Sequence, residues 1–408
     1  MAFFYLLPVI LLVIFVASFI SAIIRTIQTE YANCSIPPGV SSPGKLRLIV
    51  AALIVTSTLG RIFEKMELCS SLAFRRLVFS GRRPGPAPGV RQEDGRFGRV
   101  PVRLYRPRAP APCSAVLLFH GGGWICCSLD SHERICQYIA KESGSLVVSV
   151  GYRLAPEHKY PAAYEDCLSA TLHFLQHLQH YGVDPARVTV CGDSAGGNLA
   201  AAVSQTLAGS SELPRLRAQI LIYPGLQALD FNLPSYQQNR GVPLLFRERA
   251  VFYSLQYVQG DTSNLEEVLE GSHIPPDMRL KYRKWVSPDN IHEEFTVRGY
   301  KPHKPSEFKP EVFEKVKRIR EPTLCPLFAE DTIIQQLPET FILTCEYDVL
   351  RDDGLLYKKR LEDNGVRVTW HHLEDGFHGI VNLFDYYGLS FPSGKRGLDR
   401  VVAFIKGL

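Results

Sequence analysis

Six short apolar runs, at residues 115–119, 146–150, 187–191, 219–223, 340–345 and 366–370, alternate with longer helical stretches such as 164–179, 195–207 and 354–364. Compact apolar runs of this length suit strands buried on both faces. Strands that alternate with helices predict a mostly parallel sheet with helices on each side, an α/β fold. One section breaks the rhythm. Residues 228 to about 320 are polar, punctuated by Pro234, Pro243, Pro275, Pro276 and Pro288, and carry few strand signals. That section reads as an insertion lying over the sheet as a helical cap. No internal repeat is visible.

The front of the chain follows another pattern. Residues 3–24 contain no charge over 22 positions, and at about 1.5 Å per residue such a helix spans roughly 30 Å of hydrocarbon. A cleaved secretory leader competes with this reading, but its apolar region runs only about 7–15 residues behind basic ones. Here nothing basic precedes the stretch and no small-x-small cleavage site follows it. An uncleaved transmembrane anchor over 1–24 is therefore expected. A second apolar stretch, 46–63, has an uncharged core of 13 residues at 48–60. That is short for a span and suits a buried or interfacial helix. A proline–glycine cluster at 81–89 then separates this front portion, 25–99, from the α/β region expected over 100–408.

Composition removes several function classes. Hydrophobic residues make up 46% and charged residues 21%, which is globular usage and excludes wholesale disorder. The net charge is +5, from 46 basic and 41 acidic side chains spread along the chain. Runs such as Arg82-Arg83 or Lys315-Val316-Lys317-Arg318 read as solvated surface, so no nucleic-acid partner is expected. Ten cysteines in 408 residues are too sparse for a disulfide scaffold, and no Cys/His zinc spacing occurs. His173, His177 and His180 share a helix face, but Leu168, Leu172, Leu175 and Leu178 already mark its buried stripe and no H-E-x-x-H glutamate is present. Neither a metal nor a cofactor is expected.

Two glycine-rich segments carry the chemistry. Gly192-Asp193-Ser194-Ala195-Gly196-Gly197 joins the strand at 187–191 to the alanine-rich helix at 195–207. A serine on such a strand-to-helix turn is held in strained geometry with its hydroxyl exposed at the top of the sheet. His120-Gly121-Gly122-Gly123-Trp124 follows the strand at 115–119. Consecutive glycines let backbone N–H groups converge on one point, where they can bind an oxyanion beside the N–H of Ala195. Gly121 and Gly122 are the expected loop donors, with Gly123 allowing the close approach.

A nucleophilic serine needs a base, and the base needs an orienting carboxylate. Asp348 follows the strand at 340–345 and His378 follows the strand at 366–370, giving the chain order Ser, Asp, His of hydrolase folds. Asp352 and Asp353 rival Asp348, but they open a helix, where carboxylates serve as caps. His371 and His372 rival His378, but they lie at the end of a strand and read as structural.

The segments His120–Trp124, Gly151-Tyr-Arg-Leu-Ala-Pro-Glu-His158, Gly192–Gly197, Ile222-Tyr-Pro224, Asp348-Val-Leu-Arg-Asp-Asp-Gly354 and Glu374-Asp-Gly-Phe-His-Gly379 occur in one order across most of the chain. In these the sequence resembles the hormone-sensitive-lipase-like branch of the α/β-hydrolases, and more narrowly the arylacetamide deacetylase-like proteins. The resemblance implies an α/β-hydrolase fold, a Ser194–Asp348–His378 triad and an oxyanion hole at His120, Gly121, Gly122, Gly123 and Ala195. It also implies a single-pass endoplasmic reticulum protein with a lumenal catalytic domain, although Arg25, Lys45 and Arg47 follow the anchor and do not favour export of that side. The parent deacetylase carries a cysteine directly after the tryptophan, paired with the cysteine three residues before the aspartate. Here Ile125 follows Trp124, with Cys126 and Cys127 next, so the implied bridge is Cys126 or Cys127 to Cys345. It needs the strand of Cys345 beside the oxyanion-loop strand, and stands even with Cys345 as a small buried residue.

The expected activity is serine hydrolysis of carboxylic esters or arylamides of apolar substrates. A membrane-anchored hydrolase of acylglycerols or sterol esters shares the same triad. A binding protein on a hydrolase scaffold is the reading from another class. An intact His378 separates it from the first two.

Overall fold

The computed structural model describes residues 34–408 apart from 80–83, 109–112, 211 and 386, together with scattered positions among 1–33. The anchor expected over 1–24 thus lies outside the described structure as an element.

Eight strands form one sheet: β1 (Val90–Phe97), β2 (Val100–Pro107), β3 (Cys113–Phe119), β4 (Leu146–Val150), β5 (Val183–Asp193), β6 (Ala218–Ile222), β7 (Glu339–Tyr347) and β8 (Val368–Phe377). Their order is β1-β2-β4-β3-β5-β6-β7-β8. The strands from β3 to β8 pair in parallel, and they are the six apolar runs of the sequence. β1 and β2 form an antiparallel hairpin on one edge, joined antiparallel to β4. The sheet therefore begins at Val90, and the expected start of the α/β region at residue 100 falls inside this hairpin. β1 reads Val-Arg-Gln-Glu-Asp-Gly-Arg-Phe with only its two ends buried, so it has no apolar run to announce it. Charge on a sheet edge also discourages pairing with other chains.

Successive strand side chains alternate between two cores. On β3, Ala115, Leu117 and Phe119 join the core under α4 (Ala162–Gln176) and α5 (Ala195–Leu207). Val116 and Leu118 join the other, with α3 (Glu133–Ser143) and α8 (Pro392–Gly407). This two-sided burial explains why the runs lack polar alternation. Between β6 and β7 the chain leaves the sheet and forms short helices, among them α6 (Arg247–Val258), in the section expected to be a cap. α7 (Arg351–Asp363) connects β7 to β8.

The front portion packs against this body. α1 (Pro43–Lys65) and α2 (Ser71–Phe79) form a hairpin whose crossing is close because Gly60 has no side chain: a Cβ there would sit 3.0 Å from Ser71 Oγ. Phe63 and Phe74 meet edge to face at 5.0 Å beside that crossing. Leu46 and Ile49 bury one stripe of α1 in the core of α3 and α8, and Val50 beside them is buried too. Arg76 fastens α2 by donating to the carbonyls of Ile125 and Ala155 and to Glu157.

The expected cysteine bridge is overturned. Cys126, Cys127 and Cys345 each stand outside any disulfide. β7 is separated from β3 by β5 and β6, which at about 4.8 Å per strand step sets Cys345 roughly 14 Å along the sheet from the oxyanion-loop strand. Cys345 also points into the core of α3 and α8, whereas Cys126 belongs to the opposite core.

Candidate active site

The end of β5 feeds directly into α5, and Ser194 sits at the junction with φ 55° and ψ −120°. Neighbouring backbone leaves no room for side chains here: a Cβ on Gly196 would lie 1.9 Å from the Phe119 carbonyl oxygen. Positive φ at a non-glycine residue is costly, and it persists because the junction holds it on both sides. The Ser194 N–H donates to the Ile222 carbonyl at 2.8 Å, and its hydroxyl faces a cavity.

The structure brings together the three residues singled out from the sequence. His378, just past β8, has Nε2 2.9 Å from Ser194 Oγ. Its Nδ1–H donates to Asp348 Oδ2 at 2.8 Å, and Asp348, just past β7, is wholly buried. Asp348 Oδ1 accepts the Leu350 N–H at 2.8 Å, which fixes the carboxylate. Each side chain stands at the carboxyl end of a parallel strand, where open α/β sheets place their ligands.

The rival residues have other partners. Asp352 accepts from the Ser235 N–H and from Arg351 Nε. Asp353 accepts from the Leu226 N–H, Gln227 and Tyr236. Neither caps α7; both tie the start of the cap to that helix, a role the sequence did not suggest. His372 lies between Thr344 Oγ1 and Glu346 Oε2, and His371 packs on Phe341. His173 stacks between Phe97 and His177.

The oxyanion loop departs from expectation at His120, Gly121 and Gly123. The Gly121 N–H donates to Asp193 Oδ1 at 2.8 Å, so it is already committed inside the protein. His120 turns beneath the loop, its Nδ1–H donating to the Gly121 carbonyl at 2.8 Å and its ring stacked on Tyr152 at 4.2 Å. Burial pushes the His120 imidazole down to about 4, which keeps it neutral. Among the described residues, the N–H groups of Gly122, Gly123 and Ala195 donate to no protein acceptor, and all three residues line the cavity beside Ser194. Gly122 and Gly123 have φ of +115° and +62°, conformations that glycine adopts without strain.

Asp193, inside the serine motif, organises this loop. Its Oδ1 accepts from Gly121 N–H and from His132 Nε2 at 3.0 Å, and its Oδ2 accepts from Asn382 at 2.9 Å. Burial drives the Asp193 carboxyl upward, but His132, Asn382 and Gly121 outweigh it and hold the group below the ordinary carboxylate range. One carboxylate thus joins the oxyanion loop, the serine turn and the segment after His378. His132 and Asn382 carry no sequence signal, since only the fold brings them within reach. Asn at 193 loses the charge that holds these donors, and turned with its amide toward Gly121 it sets one N–H against another. Asp193→Asn is therefore expected to lower kcat by about 100-fold through a displaced loop. Steady-state kinetics checks this, with circular dichroism to show that the variant remains folded.

The cavity in front of Ser194 has a volume of about 410 Å³. Apolar side chains dominate its wall: Ile49 and Leu53 from α1, Phe231, Leu245 and Tyr253 from the cap, and Leu350. The front hairpin and the cap together roof the site.

Known proteins share this fold. The profile of a family described as having the alpha/beta hydrolase fold matches residues 116–271 and 298–382, and the unmatched gap lies within the cap. The chain is 44% identical over 392 residues to human arylacetamide deacetylase-like 4, covering 96% of each. It is 37% identical over 396 residues to rat neutral cholesterol ester hydrolase 1, covering 93% of this chain and 96% of that one. Among solved structures, a hyperthermophilic esterase from the archaeon Pyrobaculum calidifontis superposes with a TM-score of 0.61 at 28% identity, covering 86% of this chain and 93% of that one.

Proposed function

We infer that this chain, a carboxylesterase-type enzyme that belongs to the arylacetamide deacetylase-like group of the α/β-hydrolase family, cleaves carboxylic esters and arylamides of apolar compounds through an acyl-enzyme on Ser194. The observation that carries this is the unbroken hydrogen-bond line Asp348–His378–Ser194 opening onto an apolar cavity.

The steps follow from the geometry. Ser194 Oγ attacks the acyl carbon while His378 Nε2 takes its proton, and Asp348 holds the imidazole in the tautomer that accepts there. The N–H groups of Gly122, Gly123 and Ala195 bind the oxyanion of the tetrahedral intermediate. Collapse releases the alcohol or amine, which takes the proton from His378. Water, deprotonated by the same imidazole, then frees the acid.

A neutral lipid ester is the second reading, favoured by the cavity's apolar walls and by the relative named as a cholesterol ester hydrolase. A binding protein without catalysis is disfavoured by the complete triad. The chain is assigned to an endoplasmic reticulum membrane with residues 25–408 lumenal, on the family resemblance. Protease digestion of sealed microsomes tests that assignment, which fails if the catalytic region is cleaved without detergent.

A fluorophosphonate probe, followed by a panel of esters, arylamides and lipids, tests the activity. Labelling of the native protein together with hydrolysis of aryl or long-chain esters is expected. A folded protein that neither labels nor turns over any member contradicts the proposal.

A further inference from the structure

We propose that the outward face of the α1–α2 hairpin docks on the surface of a lipid bilayer, seating the mouth of the cavity against it. The proposal rests on the reading that the cavity takes an apolar ester, and adds the surface and route by which such a substrate arrives.

α1 is apolar on both sides. Its inward stripe, Leu46, Ile49, Val50 and Ile54, is buried. Its opposite stripe, at spacings of four and three, is Leu48, Ala52, Val55, Leu59 and Ile62, which all retain solvent exposure. A helix that packs on a soluble domain ordinarily shows a polar face to water. This one shows a second hydrophobic face.

The exposed apolar surface concentrates here. Beyond residue 33, the most exposed large apolar side chains among the described residues include Leu48 at 65%, Met66 at 60%, Leu68 at 65% and Leu77 at 74%, all on this hairpin. The cap contributes only Leu280 and Val297. The patch runs into the cavity, because Ala52 and Val78 are exposed and also line its wall.

Three observations select a bilayer as the occupant. Residues 3–24, charge-free over 22 positions, precede the patch in the sequence as a stretch suited to hydrocarbon. Besides Lys45, which donates to the Ser390 carbonyl, α1 carries exposed Arg47, Arg61 and Lys65 against the single acid Glu64, and long basic side chains reach headgroups while their stems stay apolar. Although α1 is the one described helix long and apolar enough to cross a membrane, its inward stripe is fixed to the sheet body, so it lies along an interface rather than through it. An ester dissolved in the bilayer then enters past Ala52 and Val78 without crossing water.

The test uses the full chain in vesicles of phosphatidylcholine and phosphatidylglycerol. Leu48→Trp and Leu77→Trp report immersion, since neither residue lines the cavity. Docking predicts blue-shifted emission from the introduced tryptophan that is quenched when the lipid acyl chains carry bromine. Unquenched emission overturns the proposal, and so does a blue shift that depends on protein concentration without lipid quenching, which would mark a second copy on this face. In parallel, Leu48→Asp/Leu77→Asp is expected to lower hydrolysis of a vesicle-borne long-chain ester by about ten-fold, leaving a water-soluble acetate ester unchanged. Equal rates for wild type and variant on the long-chain ester also overturn it. A wild-type chain that hydrolyses neither ester contradicts the functional reading instead, while the quenching result still decides the docking surface.

Discussion

Ser194→Ala is expected to lower kcat by about a million-fold and to abolish fluorophosphonate labelling, leaving only the rate that the oxyanion donors and binding supply, about a thousand-fold over water. No other hydroxyl stands in for it: Ser194 Oγ is the one placed 2.9 Å from His378 Nε2. His378→Ala should cost about as much as Ser194→Ala, and the double variant little more than either, because residues acting as a unit fail to add. Pre-steady-state kinetics with an ester that releases a coloured alcohol reads the loss of acylation directly. The folded state should survive, since Ser194 donates its N–H, not its side chain, to hold the turn.

Asp348→Asn is expected to reduce kcat by about 10,000-fold with little change in melting temperature, because the amide favours the histidine tautomer that cannot accept from serine. The contrast with its neighbour is the sharper test. Asp352 lies in the same segment, equally buried, but its oxygens hold Ser235 N–H and Arg351 Nε. Asp352→Asn weakens a buried charge pair and should cost about 3 kcal/mol of stability while kcat stays within a few-fold. Reversal of these outcomes would move the acid of the triad to Asp352. Kinetics and thermal unfolding measured on the same preparations separate the two effects.

Much of this arrangement was legible in the sequence because its signals are local. A strand buried on both faces shows itself as an apolar run, and glycines at the serine turn and the oxyanion loop show where backbone must approach backbone. β1 escaped because six of its eight residues are polar or glycine, with burial only at Val90 and Phe97. The Cys345 bridge failed for a different reason: order within a sheet is not order along the chain, and β5 and β6 stand between the strands concerned. The Gly121 donor failed likewise, since its N–H is claimed by Asp193, 72 residues away. In the sequence the uncharged core of the segment 46–63 marks it only as buried or interfacial. The structure assigns it a buried stripe and an exposed apolar stripe on one helix.

Acylation of Ser194 is the step on which the proposed hydrolysis depends. The full-length protein is incubated with a slowly hydrolysed aryl ester, quenched in acid, digested and mapped by tandem mass spectrometry. A single acyl adduct on the peptide containing Ser194 is predicted, absent from His378→Ala. An adduct on any other residue, or turnover with Ser194 unmodified in a trapped sample, would contradict it.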